Sequence, residues 1–164
     1  MSRSGEAPAV GRRGPPPLRP FGLVLHHDGR WSHEGVPLLH RRLREVFDRS
    51  VRFLPSEGRY VVQLGHFRGQ IEVEEAAFFV RGFDAETGRI GLSDGSSEVL
   101  DAATLRASPR DDALLCAVKQ ELVRGGLAAR FSHAAQSELL HAVEETPEGA
   151  RLRAGGALLP LPGL

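Results

Sequence analysis

Residues 26–35, HHDGRWSHEG, hold three of the chain's seven histidines and two carboxylates. Imidazole nitrogens and carboxylate oxygens are common ligands of zinc and other transition metals. A catalytic zinc normally has three protein ligands and keeps one position open for water. The stretch therefore raises the hypothesis of a metal-dependent enzyme, provided that the local fold brings the ligands together.

The element that must position these residues is a β-hairpin. Asp28-Gly29 is a strong signal for a two-residue turn, because both central positions of such a turn need a positive φ. With this turn, side-chain alternation places His26 and His33 on one face of the hairpin, diagonally and ~7–8 Å apart at Cβ. Asp28 lies in the turn and Glu34 on the opposite face, so neither carboxylate joins the two histidines.

A metal site would therefore need a third ligand from elsewhere in the chain, such as His66 or His40. The alternative is a structural hairpin whose polar residues are histidines. In that case Trp31 anchors the hairpin in the core, and Glu34 caps or forms a salt bridge near the start of the following helix. We favour the structural hairpin.

The composition excludes several classes of function. Lys plus Arg and Asp plus Glu each number 21 in 164 residues, so no net charge recruits nucleic acid or anionic lipid. The single cysteine, Cys116, rules out an intramolecular disulfide and a multi-thiolate zinc site, and its apolar neighbours indicate an inert thiol. No apolar run is long enough to span a bilayer. We expect a cytoplasmic bacterial protein with no membrane association.

A helix is predicted to begin at Pro37 and to continue through LLHRRLREVF. Its apolar residues fall on one face: Leu39, Leu43, Val46 and Phe47. Its outward face is basic: Arg41, Arg42 and Arg44. These arginines are the best argument for nucleic-acid binding, but Glu45 and Asp48 share the helix, and no interleaved aromatics are present for base stacking. A solvated face is the preferred interpretation.

The rest of the chain predicts an α+β fold of mostly antiparallel sheets with two helices. Period-two patterns from residue 51 predict short strands, and a single helical turn is expected near Asp101. ALLCAVK predicts a strand that is followed by a loop through Gly125-Gly126. Ser132 is a plausible N-cap for a second helix, HAAQSELLHAVEE, with Ala135, Leu139, Leu140 and Val143 on its buried side. A closing hairpin turns at Gly155-Gly156.

The predicted organisation is a disordered tail over residues 1–20 and two α+β halves over residues 21–76 and 77–164. The tail is rich in Pro, Gly, Ser and Arg and has too little apolar surface to offset the entropy cost of ordering. The first half is predicted to be a hairpin, a helix and then strands, and the second half a strand, a helix and then a hairpin. They form two similar small motifs without a fixed-period repeat.

No catalytic residue and no cofactor is predicted. The chain has no G-x-S-x-G elbow, and Ser132 and His133 point apart on a helix, so they give no case for a hydrolase. Glu72, Glu74 and Glu75 could pair for acid–base chemistry or bind a divalent cation, but on an alternating strand Glu72 and Glu74 form the solvent face. The glycine-rich pieces RGG and AGG lack the lysine and the strand-to-helix context of a phosphate loop.

Several stretches of the chain resemble an uncharacterised bacterial family, domain of unknown function twelve eighty-five. The resemblance spans residues 21 to 162. It rests on the stretch QIEVEEAAFFV, on the closing AGGALLPL and, before them, on an opening signature that consists of Asp28, Gly29, Trp31, Glu34, Gly35 and Pro37. It implies an α+β fold of two similar motifs and a regulatory or signalling role, with no established activity. Those six positions carry over as a structural signature. Near the end, where the family tends to have aromatic residues around the last helix and hairpin, this chain has Ala134, Ala135, Leu152 and Ala157.

We expect a non-enzymatic binding or regulatory module that recognises a protein segment or a small ligand. Exposed strand edges would allow a peptide, or a second copy of the chain, to add a strand. The alternative is a metal-dependent enzyme that uses the histidines of the first hairpin.

Overall fold

The computed structural model describes residues 19–164. The tail predicted over residues 1–20 lies outside the described part, except that the first strand begins at Arg19. No helix in the described part is long and apolar enough to cross a membrane.

The first half of the chain forms a six-stranded sheet with one helix. Its elements are β1 (Arg19–Leu25), β2 (Trp31–His33), β3 (Val36–Pro37), α1 (Arg41–Ser50), β4 (Val51–Leu54), β5 (Arg59–Leu64) and β6 (Phe67–Val73). The strand order is β3-β2-β1-β6-β5-β4, and the central pair β1 and β6 is parallel. The other neighbours are antiparallel, as hairpin connections require.

The second half repeats this arrangement. Its elements are β7 (Phe78–Asp84), β8 (Arg89–Leu92), β9 (Ser97–Val99), a 3-10 turn (Ala102–Thr104), β10 (Arg106–Ala107), β11 (Leu114–Val118) and β12 (Leu127–Phe131). The order is β10-β11-β12-β7-β8-β9, again with the first and sixth strands parallel at the centre. Each half therefore consists of three strands, a helical connection and three further strands. Its first and sixth strands pair in parallel at the centre of the sheet.

A helix and a third sheet complete the chain. They comprise α2 (His133–His141) and a meander of β13 (Val143–Thr146), β14 (Gly149–Ala154) and β15 (Ala157–Pro160). One hydrophobic core joins the three sheets, with Trp31 from the first, Phe78 from the second and Leu152 from the third all almost completely buried. The predicted α+β class, with mostly antiparallel sheets and two helices, is confirmed.

The first helix begins four residues later than predicted. Val36 and Pro37 form an edge strand, where a proline without an N–H costs no ladder hydrogen bond. The helix begins at Arg41, and the side chain of His40 caps it by accepting from the Leu43 N–H at 3.3 Å. The predicted apolar face is also largely uncovered: Leu39 is 82% exposed and Val46 44%.

The C-terminal prediction is right at its start and wrong at its end. Ser132 caps α2, with its side chain accepting from the Ala135 N–H at 3.1 Å, and Leu139 is buried as predicted. Leu140 is exposed, however, and the helix stops at His141, so that Val143 begins β13. The loop predicted before α2 contains the strand β12.

Candidate functional site

Two consecutive carboxylates occupy the connection between the two six-stranded sheets. β6 ends at Val73 and β7 begins at Phe78, so Glu74 and Glu75 lie where the chain passes from one half to the other. The predicted boundary between residues 76 and 77 falls in the same connection. Each carboxylate binds a different set of partners, so this short segment ties together elements that are distant in sequence.

Glu74 binds both histidines that precede the first hairpin turn. Its Oε2 lies 2.9 Å from the Nδ1 of His26, its Oε1 lies 2.5 Å from the Nδ1 of His27, and Arg110 Nη1 lies 3.0 Å from Oε1. The hydrogen bonds from His26 and His27, followed by the charge of Arg110, lower the pKa of Glu74 to about 2. An ionised carboxylate has no proton to give, so Nδ1 is the donor in both rings.

The second nitrogen of His26 contacts a hydroxyl. His26 Nε2 lies 2.8 Å from the Oγ of Ser32 on β2. With Nδ1 donating to Glu74, a ring that holds one proton accepts at Nε2, and the Ser32 hydroxyl donates. We call His26, His27, Ser32, Glu74 and Arg110 the Glu74 cluster.

The Glu74 cluster borders a cavity of about 270 Å³. Ser32 is only 7% exposed, and both it and His26 lie in the cavity wall. The cavity is lined by His26, Arg30, Trp31, Ser32, Gly35 and Pro37. A hydroxyl bonded to a histidine therefore lies at the edge of a space large enough for a small organic group.

The hairpin register that creates this contact differs by one residue from the prediction. Leu25, not His26, pairs with Trp31, and the His26 N–H donates to the Arg30 carbonyl at 2.8 Å, which leaves a three-residue loop. A one-residue slip exchanges the faces of a strand. His26 therefore shares a face with Ser32, whereas the exposed His33 pairs with the buried Leu23 on the other face.

The prediction that His26 and His33 converge is therefore wrong. Among residues 19–164, no group of three or more His, Cys, Asp or Glu side chains is placed to hold a metal ion. The two further histidines considered as ligands, His40 and His66, are exposed, and His40 caps α1.

Glu75 forms a more deeply buried network with the second half. Its Oε1 lies 2.8 Å from Arg130 Nη1, and its Oε2 accepts from the Ser108 hydroxyl at 2.7 Å. Arg130 also donates to Asp111. The side chains of Glu75 and Arg130 are 8% and 10% exposed. The pairing offsets the cost of burying the two charges and fixes β12 against the connection between the halves.

A cleft runs between the halves on a separate set of residues. Two adjoining cavities of about 440 and 370 Å³ share Asp28, Phe79 and Ser132 in their walls. The first half contributes the β1–β2 turn and α1, and the second half contributes β7 and β12. The remaining wall comes from the β10–β11 connection and the start of α2. We call these two cavities together the inter-half cleft.

The two ends of the inter-half cleft differ in charge. The α1 end is lined by Arg41, Arg44 and Arg81 together with Asp28, Glu45 and Asp48. The α2 end is lined by Asp28, Asp111 and Asp112 with Arg130 as its only arginine or lysine. The Nε of Arg44 is buried and has no hydrogen-bond partner in the described part of the chain. The cleft therefore offers a cation at one end and an excess of carboxylates at the other.

The predicted basic helix face is divided in this arrangement. Arg41 pairs with Glu45 at 3.0 Å, Arg42 is exposed, and Arg44 is half-buried and lines the inter-half cleft. The prediction that all three arginines point outward is therefore wrong for Arg44. The three side chains do not present a continuous basic surface.

Asp48 links the first hairpin to α1 and β7. Its Oδ1 accepts from the Trp31 indole N–H at 2.8 Å, and its Oδ2 accepts from Arg81 Nη2 at 2.6 Å. Burial raises the pKa of Asp48, although both hydrogen bonds act in the opposite direction. Trp31 is 1% exposed and thus anchors the hairpin as predicted.

The remaining signature residues form turns and an edge. Asp28 accepts from the backbone and guanidinium N–H groups of Arg30, and Gly29 has a φ of 87°. Glu34 and Gly35, with φ of 49° and 81°, form the β2–β3 turn. Glu34 is exposed in that turn, three residues before Pro37 of the edge strand and further from the start of α1.

Ser32 was not among the predicted site residues, and Glu74 was considered and assigned to the solvent face. Alternation assigned Glu74 to the solvent face together with Glu72, but the strand ends at Val73 and the alternation ends with it. The sequence signal that could have identified Glu74 is the doublet Glu74-Glu75 directly before the apolar AAFFV. Such a doublet indicates that polar residues follow the end of a central strand. Cys116 is buried as predicted, and burial raises its pKa to about 12.

No family model and no curated protein sequence matches the chain. The crystal structure of a DUF1285 family protein from Silicibacter pomeroyi matches with a TM-score of 0.57 and 20% sequence identity, over 93% of this chain and 90% of that chain. A DUF1285 family protein from Shewanella baltica matches with a TM-score of 0.49 and 14% identity, over 73% of this chain and 91% of that chain. Through the first likeness, the chain has the fold of a DUF1285 family protein, and the resemblance recognised in its sequence is confirmed at the level of the fold.

Proposed function

We propose that the protein is a ligand-binding module of regulatory type, and that the inter-half cleft takes a small ligand carrying both a negative and a positive charge. The observation that carries this proposal is the cleft itself, which is walled by both halves and by α2. A ligand that touches both halves stabilises one relative arrangement of them. That is the requirement for a sensor domain.

The charge distribution supports a ligand of mixed charge. Arg44 has a buried Nε without a partner, and a carboxylate or phosphate would satisfy it with a charge-assisted hydrogen bond. At the α2 end, the exposed Asp112 favours an ammonium group, since Asp111 is paired with Arg130. Phe79 lies between the two ends and contributes apolar surface to both cavities. An amino acid or a short peptide has this combination of groups.

A thermal-melt screen of the purified protein tests the proposal. The panel contains free amino acids and dipeptides, the matching amines without a carboxylate, and the matching acids with an acetylated amine. Nucleotides and divalent metals complete it. A ligand present at a hundred times its dissociation constant adds ~2.7 kcal/mol, which raises the melting temperature of a domain this size by several degrees. We expect a shift only with compounds that keep both charges.

Two variants connect the shift to the cleft. Arg44→Gln and Asp112→Asn each remove one charge from opposite ends and should abolish the shift. Arg42→Gln removes an exposed arginine from the same helix outside the cleft, and it should behave like the wild type. A shift that persists in both cleft variants would overturn the assignment to the cleft. A shift with zinc or manganese alone would instead support the metal-dependent alternative.

A further inference from the structure

We infer that Ser32 is a nucleophile for acyl transfer, with His26 as its general base and Glu74 as the residue that positions His26. The site is distinct from the inter-half cleft, since the two share no lining residue. The substrate class is a small ester or a comparably activated acyl compound.

The geometry is that of an activated serine. The Ser32 Oγ lies 2.8 Å from His26 Nε2, and His26 Nδ1 lies 2.9 Å from Glu74 Oε2. A hydroxyl is a weak nucleophile until a neighbouring base takes its proton, and the base works best when a third group fixes its ring and tautomer. The three side chains provide these roles in the required order.

The surroundings of Glu74 hold the carboxylate in place. His27 and Arg110 bind its other oxygen, so the orientation of the group does not depend on His26 alone. The carboxylate stays ionised at neutral pH and can stabilise the imidazolium that forms when His26 takes the proton. A structural role for Glu74 would need only one of the two histidines, and it would not require the hydroxyl on the far side of the ring.

The cavity defines the size and character of the substrate. At about 270 Å³ it is near the lower limit of small-molecule sites. Pro37 pairs with Ser32 and provides apolar surface for a short acyl chain, and Ser32 and His26 lie in the same wall. Arg30 lines the cavity with a side chain that is 77% exposed, so it can attract an anionic group from solvent.

The reaction proceeds in two balanced steps. The Ser32 Oγ attacks the acyl carbon while its proton passes to His26 Nε2, and the bond to the leaving alcohol breaks as the same proton moves to the alcohol oxygen. Water then attacks the acyl-serine, gives a proton to His26, and releases the carboxylic acid as that proton returns to Ser32. No redox equivalent or metal is needed.

A fluorophosphonate probe, which reacts covalently with activated serines, tests the inference on the intact protein. We expect the folded wild type to gain one adduct, located at Ser32 by peptide mass mapping, and to hydrolyse p-nitrophenyl acetate. Ser32→Ala should lose both properties. His26→Gln should slow labelling ~10²-fold or more, as loss of a general base does. Ser137→Ala, an exposed serine on α2 outside both sites, is the matched control and should react like the wild type.

The wild-type mapping does not depend on any variant folding correctly. No adduct at Ser32 in the folded wild type, under conditions that fully label a serine protease added to the same tube, would overturn the inference. So would undiminished ester hydrolysis by Ser32→Ala. Circular dichroism of each variant establishes that a loss of labelling does not come from unfolding. The cleft proposal is tested separately, because its screen uses a melting shift and different residues.

Discussion

Glu74 determines most of the local electrostatics at the connection between the halves. The hydrogen bonds from His26 and His27 favour its ionised form and lower its pKa from 4.5 to about 2. A carboxyl group whose pKa is lower in the folded state stabilises the fold at pH values above its ordinary pKa, and this stabilisation is lost as the pH falls through the folded value. The contribution of Glu74 is therefore complete at neutral pH and declines between about pH 4.5 and pH 2.

Glu74→Gln tests this pH dependence. We expect the variant to unfold at a lower urea concentration than the wild type at pH 7, and the difference to narrow as the pH is lowered from 4.5 towards 2. Trp31 fluorescence during urea titration at several pH values measures the midpoint. Glu72→Gln changes an exposed residue of the neighbouring strand β6 and should leave the midpoint unchanged at each pH. A gap that stays constant with pH would contradict the lowered pKa.

Asp48→Ala tests the anchor of Trp31. The substitution leaves the indole N–H of a residue that is 1% exposed without its acceptor, and it leaves Arg81 without its partner. We expect a loss of ~1–3 kcal/mol in the free energy of unfolding, measured by urea denaturation. Asp48→Asn keeps an acceptor oxygen and should lose less.

The matched control for Asp48 lies one turn earlier on α1. Glu45→Ala breaks the exposed pair with Arg41, which is worth at most ~0.5 kcal/mol. Equal losses for Asp48→Ala and Glu45→Ala would show that burial of the indole hydrogen bond contributes nothing.

At the scale of elements, the β11–β12 connection positions the strand that carries Arg130. Gly125 and Gly126 both have positive φ, of 86° and 76°. A Cβ on Gly126 would lie 2.8 Å from the Val118 carbonyl oxygen, whereas a Cβ on Gly125 would meet nothing within 4 Å. An alanine at Gly125 would therefore meet only backbone strain, whereas an alanine at Gly126 would meet backbone strain and a steric clash.

Substitution of each glycine by alanine measures the two effects. Gly125→Ala should cost ~1–2 kcal/mol, the usual penalty for a left-handed alanine. Gly126→Ala should cost clearly more, because the backbone of β11 must also move. Urea unfolding of both variants gives the comparison, and equal losses would mean that the connection relaxes around the new methyl group.

The first hairpin shows how far the sequence predicts an element. Asp28-Gly29 correctly predicts a turn between two strands, but the loop has three residues rather than two. Local turn signals fix the place of a turn more firmly than its length, and a change of one residue exchanges the faces. The predicted placement of His26 and His33 on one face was therefore wrong, although both strands were predicted correctly.

Other differences arise from long-range contacts. The periodicity of the first helix predicted an apolar face. Phe47 of this face packs against the core but Leu39 and Val46 are exposed, because periodicity identifies an apolar face and not the element that covers it. The strand β12, LAARF, is rich in alanine and lacks the β-branched residues that mark strands. The contact of Glu74 with His26 depends on the parallel pairing of β1 with β6, and no local sequence pattern predicts that pairing.

At the scale of the whole molecule, the edges of the sheets are poorly suited to strand addition. The edge strands β3 and β10 have two residues, β9 has three, and β4, β13 and β15 have four. Pro37 lies in β3 and Pro160 in β15, and proline removes a ladder donor. Short edges with prolines are protected against pairing with another chain. This favours a small ligand over an added peptide strand.

We therefore expect a monomer in solution. Size-exclusion chromatography with light scattering should give a mass of 17.8 kDa at the highest soluble concentration. A dimer mass would contradict the protection argument and would point to β9, where Val99 is 60% exposed. In that case Val99→Lys should restore the monomer.

The parallel pair at the centre of each half also orders events during synthesis. Leu23 pairs with Ile71, and Phe78 pairs with Ala129. The first strand of each half can therefore pair with its parallel neighbour only after about fifty more residues have been synthesised. A chain that has emerged from the ribosome through β6 already holds all six strands of the first sheet. A chain that has emerged through β11 still lacks the central partner of β7. The repeated strand order thus divides assembly of the nascent protein into two delayed closures, the first half before the second.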